Sequence, residues 1–376
     1  MKTICLTRID ILIRNGKINK KNSVYHELID ETLVACPHYS QNEMIQATIL
    51  SKLACDAYDM FVKKHPNSRA TILIKLSYFV KCYQLENGDV TNVSYAQVDI
   101  QFIQCREWIT ENLYLDITKN FQTIIYNILC DLNLYCQKDK STFNPQHMNK
   151  WIVFRNKAAA ILIHEFSHLF EADIYLYSRN FINNINPFIE LNDIFHHALL
   201  PDIFLGVDDE FSPNRDINII ENGAVKNILV DRKWSQIYRC DLYGNGRRTF
   251  QENSIILPRI RISQMKHEST ISIDKVTNEI KDCFIIDNIK SARLNSKEGT
   301  VIFQVNSAQY HHGDKTIYHK PFSIQCSIME IINNIACVSK DNYYAVYPCG
   351  KNGYQLPCGV VTPSNIFIKG GNLCAL

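Results

Sequence analysis

The residues with the clearest capacity for chemistry lie in one short stretch, His164-Glu165-Phe166-Ser167-His168. On an α-helix, side chains four positions apart share a face, with Cβ atoms about 5–6 Å apart, so the imidazoles of His164 and His168 can hold one metal ion between them. Glu165 stands beside the first histidine, where its carboxylate can take a proton from a water bound to that ion. The spacing therefore predicts a hydrolytic metal centre with Glu165 as the catalytic base and acid.

A buried helix with a structural pair of histidines is the simpler interpretation of this stretch. The apolar run "AAAILI" (158–163) before the motif would place two histidines and two acids at the edge of a core, which is costly unless they are paired or metal-bound. A catalytic zinc site normally has three protein ligands and a water. The motif leaves the third ligand open, since Glu171 on the same helix or a distant cysteine or histidine could serve.

The motif needs a helix to position it, and the apolar spacing predicts one over about residues 150–178. Upstream, the same spacing predicts two helices within residues 22–64 and one over residues 121–136. The alternating pattern around Asn87-Gly88 predicts a β-hairpin over about residues 70–105. Residues 1–17 meet charges too early for a signal peptide, and we expect them to form a first strand.

Strand patterns dominate after the motif. They predict a hairpin that turns at Asn222-Gly223, strands over 254–263 and 299–310, and one further helix over about 326–338. Helices and strands occur in blocks, which predicts an α+β fold with N-terminal helices and mainly antiparallel β-sheets.

The polar segment 137–149 contains a proline and is the most plausible domain boundary. We therefore predict an N-terminal α+β domain over residues 1–145. A metal-binding, β-rich C-terminal domain over residues 146–376 would carry the HExxH helix.

Composition and charge exclude several classes of protein. The 40 Lys and Arg nearly balance the 38 Asp and Glu, so a broad cationic surface for nucleic acid is not expected. No apolar run approaches the length of a membrane span, so we expect no membrane insertion. The 14 cysteines are scattered and form no Cys-x-x-Cys motif, which favours reduced thiols and a cytoplasmic protein.

Four segments, taken in order, carry a family resemblance. They are "HEFSHLFEAD" (164–173), "VDDEFSPNRDINIIENGAVKNILVDR" (207–232), "GNGRRTFQENSIILPRI" (244–260) and "PCGKNGYQLPCGVVTPSNIFIKGG" (348–371). Together they resemble the metal-binding helix, the acidic stretch with its hairpin, the Arg-containing loop and the C-terminal Cys-Gly-Lys signature of the TldD/PmbA family of metalloproteases. The chain differs from the family pattern in having only two residues between Glu165 and His168, where the family usually has three.

The resemblance implies a ligand set. Cys349 would be the third metal ligand, joining His164 and His168, because a thiolate binds zinc well. The metal implied is zinc, with another divalent metal such as iron as the alternative. Glu171 and Asp173 would then support the ligands rather than bind the ion, and Cys358 would be a packing residue.

Three arginines are further candidates, for substrate binding. Arg247 and Arg248 follow "YGNG" in a loop, where they are either solvated charges or contacts for a substrate carboxylate. Arg259 is flanked by apolar strand residues and could stabilise an oxyanion or simply carry charge on a sheet surface.

Together with the motif, the resemblance implies a zinc-dependent peptidase of the TldD type that cleaves small or unfolded peptides, such as a precursor peptide in a natural-product pathway. The resemblance also implies a homodimer or a heterodimer with a paralogue. Two alternatives stay open: a non-hydrolytic, metal-dependent tailoring enzyme, and a non-catalytic partner subunit.

Overall fold

The computed structural model describes residues 2–28, 39–84, 90–104, 107–115, 120–149, 151–182, 184–200, 204, 206–248, 255–271, 280, 282–369 and 374–375. Within them the fold is α+β, as predicted, with one sheet in the N-terminal part and two large sheets in the C-terminal part. Most strand pairs are antiparallel, and a few are parallel, such as β7 with β15 defined below.

The N-terminal part is a single antiparallel sheet covered by two helices. Its elements are β1 Lys2–Arg14, β2 Lys17–Leu28, α1 Tyr39–Lys64, β3 Thr71–Gln84, β4 Val90–Gln104, β5 Glu107–Leu115 and α2 Phe121–Cys136. The strands lie in the order β2-β1-β3-β4-β5. Alternate residues of a strand point to one face, so Ile72, Ile74 and Leu76 of β3 join the core that α1 and α2 cover.

The structure corrects the first predicted helix. Residues 22–28 belong to β2, residues 29–38 lie outside the described residues, and only α1 is helical in the described part of 22–64. A tight turn at Asn15 (φ 46°) and Gly16 (φ 73°) connects β1 to β2, and the two strands pair with each other. Pairing with β1 thus overrides the helical spacing. The hairpin of β3 and β4 is confirmed, although residues 85–89 of its turn lie outside the described residues.

The C-terminal part is rich in strands. Its elements are β6 Lys140–Ser141, β7 Trp151–Arg155, α3 Lys157–Ser167, α4 Ala172–Ser178, β8 Ile189–Ile194, β9 Ile217–Glu221, β10 Ala224–Val225, α5 Arg232–Tyr238, β11 Gly246–Arg247, β12 Leu257–Pro258, β13 Ile262–His267, β14 Thr270–Ile271, β15 Asp282–Asn295, β16 Thr300–His312, β17 Lys315–His319, β18 Phe322–Ser327, α6 Ile328–Asn333, β19 Ile335–Ser339, β20 Asn342–Lys351, β21 Tyr354–Pro363, β22 Asn365–Lys369 and β23 Cys374–Ala375.

Two sheets hold α3 between them. One has six strands in the order β10-β9-β8-β13-β21-β20, and the other has ten, of which eight run β14-β19-β22-β7-β15-β16-β17-β6. Helix α3 contacts β15 and β7 of the larger sheet and β13, β20 and β21 of the smaller one. Its apolar residues Ala158, Ala159, Leu162 and Ile163 are fully buried in the largest core cluster. The elements that carry the motif are therefore held rigidly from both sides.

The predicted helix over 150–178 starts too early and is interrupted, although its last turn ends at Ser178 as predicted, in α4. Residues 151–155 form β7, because Ile152, Val153 and Phe154 are buried between the backbones of β15 and β22. The helical run also stops at Ser167, and a 3₁₀ turn spans His168–Phe170. Leu229 causes the stop, since its N–H donates to the Phe170 carbonyl and its carbonyl accepts from the Ala172 N–H.

Of three further predictions for the C-terminal part, two are confirmed and one is only partly correct. The hairpin at Asn222-Gly223 is confirmed, with both residues in the left-handed region at φ 51° and 70°. A strand over 299–310 is confirmed as β16. The predicted helix over 326–338 shortens to α6, which Ser327 caps by accepting from the Glu330 N–H, and residues 335–339 pair with β22 as strand β19 instead.

The two parts have separate main cores that meet at a smaller one. One core cluster draws on residues 9–132 and the largest on residues 148–368, so they fall on either side of the predicted boundary, which stays a prediction. A third cluster joins Phe79 and Tyr95 of the N-terminal sheet to Ile194, Ile262 and Val361. Among the described residues, every helix is too short or too polar to cross a membrane.

Candidate metal centre

Helix α3 delivers His164 and Glu165 to the boundary of the core, and the 3₁₀ turn after it delivers His168. Both histidines are nearly buried, at 5% and 6% exposure. Their Nε2 atoms face each other at 3.1 Å. The spacing of four residues thus brings the two imidazoles together, even though the regular helix ends at Ser167, because His168 keeps helical dihedrals at φ −60° and ψ −25°.

Cys349 joins the two histidines from strand β20, 181 residues after His168. Its Sγ lies 3.3 Å from His168 Nε2, and the ligand atoms of the three residues lie within 4.8 Å of one another. A tetrahedral zinc ion with Zn–N bonds of about 2.0–2.1 Å separates two nitrogen ligands by roughly 3.3 Å, close to the spacing of the imidazoles. The donor set of two imidazoles and a thiol also fits zinc in its chemistry, so these three residues would hold the ion.

Glu171 lies next to His168, on the side of the imidazole nitrogen that does not face His164. It is fully buried, and Oε1 lies 3.1 Å from His168 Nδ1, a distance suited to an ion pair although the N–H direction misses the oxygen. Oε1 also accepts from the Ile260 N–H at 2.9 Å. A carboxylate beside the outer nitrogen of a metal-binding histidine fixes the imidazole orientation. Because the regular helix is interrupted before Glu171, the Glu171 side chain lies next to the His168 ring.

Lys351 completes the buried charge network, and sequence reasoning missed it. Its Nζ donates to Glu171 Oε2 at 2.8 Å, to Asp173 Oδ1 at 2.6 Å and to the Pro258 carbonyl at 2.9 Å. The signal was available, because residues two apart on a strand share a face and Lys351 follows Cys349 by two. One ammonium therefore bridges the carboxylates of Glu171 and Asp173, and their supporting role in a metal site stays a prediction.

The charges around the centre move several pKa values. A hydrogen bond from Cys358 and the neighbouring charges of His168 and Arg259 hold the pKa of Cys349 well below its usual value, against the effect of burial. Burial lowers the pKa of His168, but Glu171 and Cys349 outweigh it and raise the value well above normal. Glu171 has a pKa of about 2, because His168 and Lys351 outweigh burial. The site therefore favours a thiolate, the form that binds metal.

Two buried residues support the strand that bears Cys349. Arg259, at 1% exposure, donates from Nη2 to the Cys349 carbonyl oxygen at 3.2 Å. Cys358 shares its thiol hydrogen between the Cys349 sulfur and the Ile260 carbonyl oxygen, which lies 3.0 Å away. The backbone leaves the predicted strand over 254–263 here, because the N–H groups of Ile260 and Arg261 donate to the carboxylates of Glu171 and Asp193.

The centre opens into a cavity of about 580 Å³. His164, Glu165 and His168 line it together with Tyr347 and Asp173. Burial raises the pKa of the Glu165 carboxyl, and the two histidines partly oppose that rise. A carboxylate with a raised pKa beside a metal centre has the properties of a general base.

None of the three predicted arginines lines this cavity. Arg247 stacks over the Phe204 ring at 4.4 Å, and its Nε lies 3.8 Å from Asp209 Oδ2. The Arg248 backbone N–H donates to the same carboxylate at 2.7 Å. Neither lines the cavity, and Arg259 is buried behind Cys349. Their substrate-binding role stays a prediction.

Comparison with known families decides the affiliation. The C-terminal domain described as that of the PmbA/TldA metallopeptidases matches residues 148–370, which is more than half of the chain. The chain belongs to the TldD/PmbA family. The matched region contains both histidines, Glu165 and Cys349, so the family match covers every residue of the candidate metal centre.

Individual relatives agree with this affiliation. A metalloprotease from Methanocaldococcus jannaschii is 24% identical over 218 residues, which cover 55% of this chain and 47% of the relative. A zinc metalloprotease TldD homologue from Saccharolobus solfataricus is 25% identical over 209 residues, covering 54% and 46% of the two chains. The matched region thus spans about half the length of these curated relatives.

A solved structure shares the fold. The crystal structure of TldE from Thermococcus kodakarensis superposes with a TM-score of 0.68 at 15% sequence identity. The superposition covers 99% of this chain and 95% of that one. The similarity therefore extends to the N-terminal part, which the family profile does not match.

Proposed function

We propose that the protein is a zinc-dependent peptidase that cleaves small or unfolded peptides. One observation carries the proposal: the Cys349 sulfur lies 3.3 Å from His168 Nε2, and His168 and Glu165 line the same cavity. Family membership and relatives described as metalloproteases support the same class of chemistry.

His164, His168 and Cys349 would hold the ion, and the chain supplies the groups around it. When bound, zinc supplies Lewis acidity that polarises a scissile carbonyl and makes water more acidic. Glu165 takes the proton from the attacking water and passes it to the leaving amine, and its raised pKa suits both transfers. Lys351 and Glu171 hold the ligands in place through the buried network.

The size of the cavity supports a short substrate. About 580 Å³ lies within the range of small-ligand sites, which is enough for a few residues in extended form and too little for a folded domain. A precursor peptide from a natural-product pathway fits this limit. The proposal includes a cytoplasmic homodimer, or a heterodimer with a paralogue.

Replacement of Glu165 by Gln tests the mechanism. The amide keeps the size of the side chain but cannot accept the proton, so we expect kcat for peptide cleavage to fall by about 10²–10⁴-fold with zinc content unchanged. Turnover and metal analysis of the purified variant provide the measurement. The matched control is Glu268→Gln, because Glu268 is exposed and does not line the cavity.

Two results would contradict this mechanism. Unchanged turnover in Glu165→Gln would show that the carboxylate is not the base. A wild-type chain that binds no zinc and does not respond to a chelator would instead support a non-catalytic subunit.

A further inference from the structure

The cavity beside the metal centre carries more positive than negative charge. Its charged lining consists of Lys157, Lys290, Arg293, Lys351, Glu165 and Asp173. Four cations therefore face two carboxylates before any metal charge is counted. A concave site with an excess of one sign attracts a ligand of the opposite sign.

Three of the four cations already have partners. Lys351 bridges Glu171 and Asp173, as described above. Lys157 donates to Glu111 of β5 and lies 5.9 Å from the centre of the Tyr347 ring. These two lysines hold the structure together, and Lys290 also has a partner, so Arg293 is the cation that a ligand would meet.

Lys290 and Arg293 lie on strand β15, where its pairing with β16 is irregular. Register shifts fall between Ile286 and Ser291, immediately around Lys290. Bulges of this kind re-aim side chains next to active sites. Lys290 and Arg293 are both exposed, whereas Ala292 and Leu294 pack against the core. In the part of the chain that the structure describes, the Arg293 guanidinium makes no ion pair.

We propose that Arg293 forms an anion subsite that selects peptides carrying a carboxylate close to the scissile bond. The proposal rests on the peptidase function and adds its substrate class. A guanidinium binds a carboxylate through two parallel hydrogen bonds, which fixes orientation as well as charge. The carboxylate is either the free C-terminus of the peptide or an Asp or Glu side chain.

The experiment compares matched peptides on the full-length, zinc-loaded protein. One pair differs in a free or an amidated C-terminus, and a second pair differs in Asp or Asn next to the scissile bond. The variants are Arg293→Gln and Arg293→Lys. Lys266→Gln is the control, because Lys266 is exposed on β13 and does not line the cavity.

We expect the wild type to prefer the carboxylate member of at least one pair, and the preferred pair identifies the source of the carboxylate. A hydrogen bond to a charged group contributes about 1.5–3 kcal/mol, so Arg293→Gln should raise KM for that peptide by roughly 10–100-fold. KM for its neutral partner and kcat for both should change little. Arg293→Lys should retain part of the preference, because lysine keeps the positive charge but cannot form the two parallel hydrogen bonds of a guanidinium.

Two results would overturn the subsite. One is a wild type that cleaves both members of each pair equally, and the other is an equal rise of KM for charged and neutral peptides in Arg293→Gln. Binding of labelled peptides to Glu165→Gln, followed by fluorescence anisotropy, separates this proposal from the peptidase function. If no peptide is cleaved but carboxylate peptides still bind better in an Arg293-dependent way, the peptidase proposal fails and the subsite stands.

Discussion

Among the residues that the structure describes, two pairs of histidines face each other, and only one of these pairs has the surroundings of a metal centre. The Nε2 atoms of His164 and His168 are 3.1 Å apart, and His147 Nδ1 lies 3.4 Å from His319 Nε2. His319 is as buried as the motif histidines, and His147 is half-buried. Judged by distance and burial alone, the two pairs are nearly alike.

The neighbours of the two pairs differ. The first pair meets a thiol and the buried carboxylate of Glu171, which raise the pKa of His168 despite burial. The second pair meets aromatic rings: His147 stacks on Tyr310 with ring centres 3.9 Å apart, and His319 contacts Phe143. Burial lowers the pKa of both members of this pair. Anionic neighbours, rather than two close imidazoles, therefore distinguish a site for a cation.

Removal of the thiol should abolish this distinction. In Cys349→Ala we expect zinc content to fall from about one ion per chain to a small fraction of that, because a three-ligand site loses its anionic member. His319→Gln should leave zinc content unchanged, since its partners include no carboxylate or thiol. Metal analysis after dialysis measures both. Equal loss of zinc in the two variants would mean that the pairs are not different in kind.

Replacement of Lys351 should destabilise the region around His164 and His168 but not the region around His147 and His319. Lys351→Met leaves Glu171 and Asp173 without their shared cation, and we expect the free energy of unfolding to fall by about 3–5 kcal/mol. Urea denaturation measures the change, with Lys266→Met on the exposed face of β13 as the control. A change no larger than that of the control would show that the network contributes little.

A lower pH should destabilise the protein through the pair His147 and His319, and we expect this to be the smallest of the three predicted effects. The pKa values of His147 and His319 are lowered in the folded protein, so below the ordinary histidine value of about 6.5 the unfolded chain takes up protons first. Stability should therefore fall as pH drops from above 6.5 towards the lowered values. The urea midpoint of His147→Phe should depend less on pH than that of wild type, whereas His196→Gln, at an exposed position, should not differ from wild type.

Local sequence patterns predicted those elements that local forces determine. Helix α2 falls where the apolar spacing placed it, and the Asn222-Gly223 turn follows from two residues that tolerate positive φ. The failures occur where distant chain segments compete. Strand β7 has helix-compatible neighbours but is buried between two other strands, and Leu229 takes the backbone groups that would have continued α3.

The candidate site divides in the same way. The spacing of His164 and His168 is a local property and was readable from the sequence. Cys349 could be identified only through the family resemblance, since nothing near it in the chain marks one thiol out of 14. Arg293 and Lys157 line the cavity through the packing of β15 and α3, which no local pattern encodes.

The separation of the ligands along the chain has a consequence for protein synthesis. His164 and His168 leave the ribosome well before Cys349, which follows His168 by 181 residues. A nascent chain therefore holds only two of its three ligands until β20 has emerged and paired with β21. The full ligand set therefore cannot assemble before the C-terminal strands have formed, so metal binding and folding of that sheet are coupled.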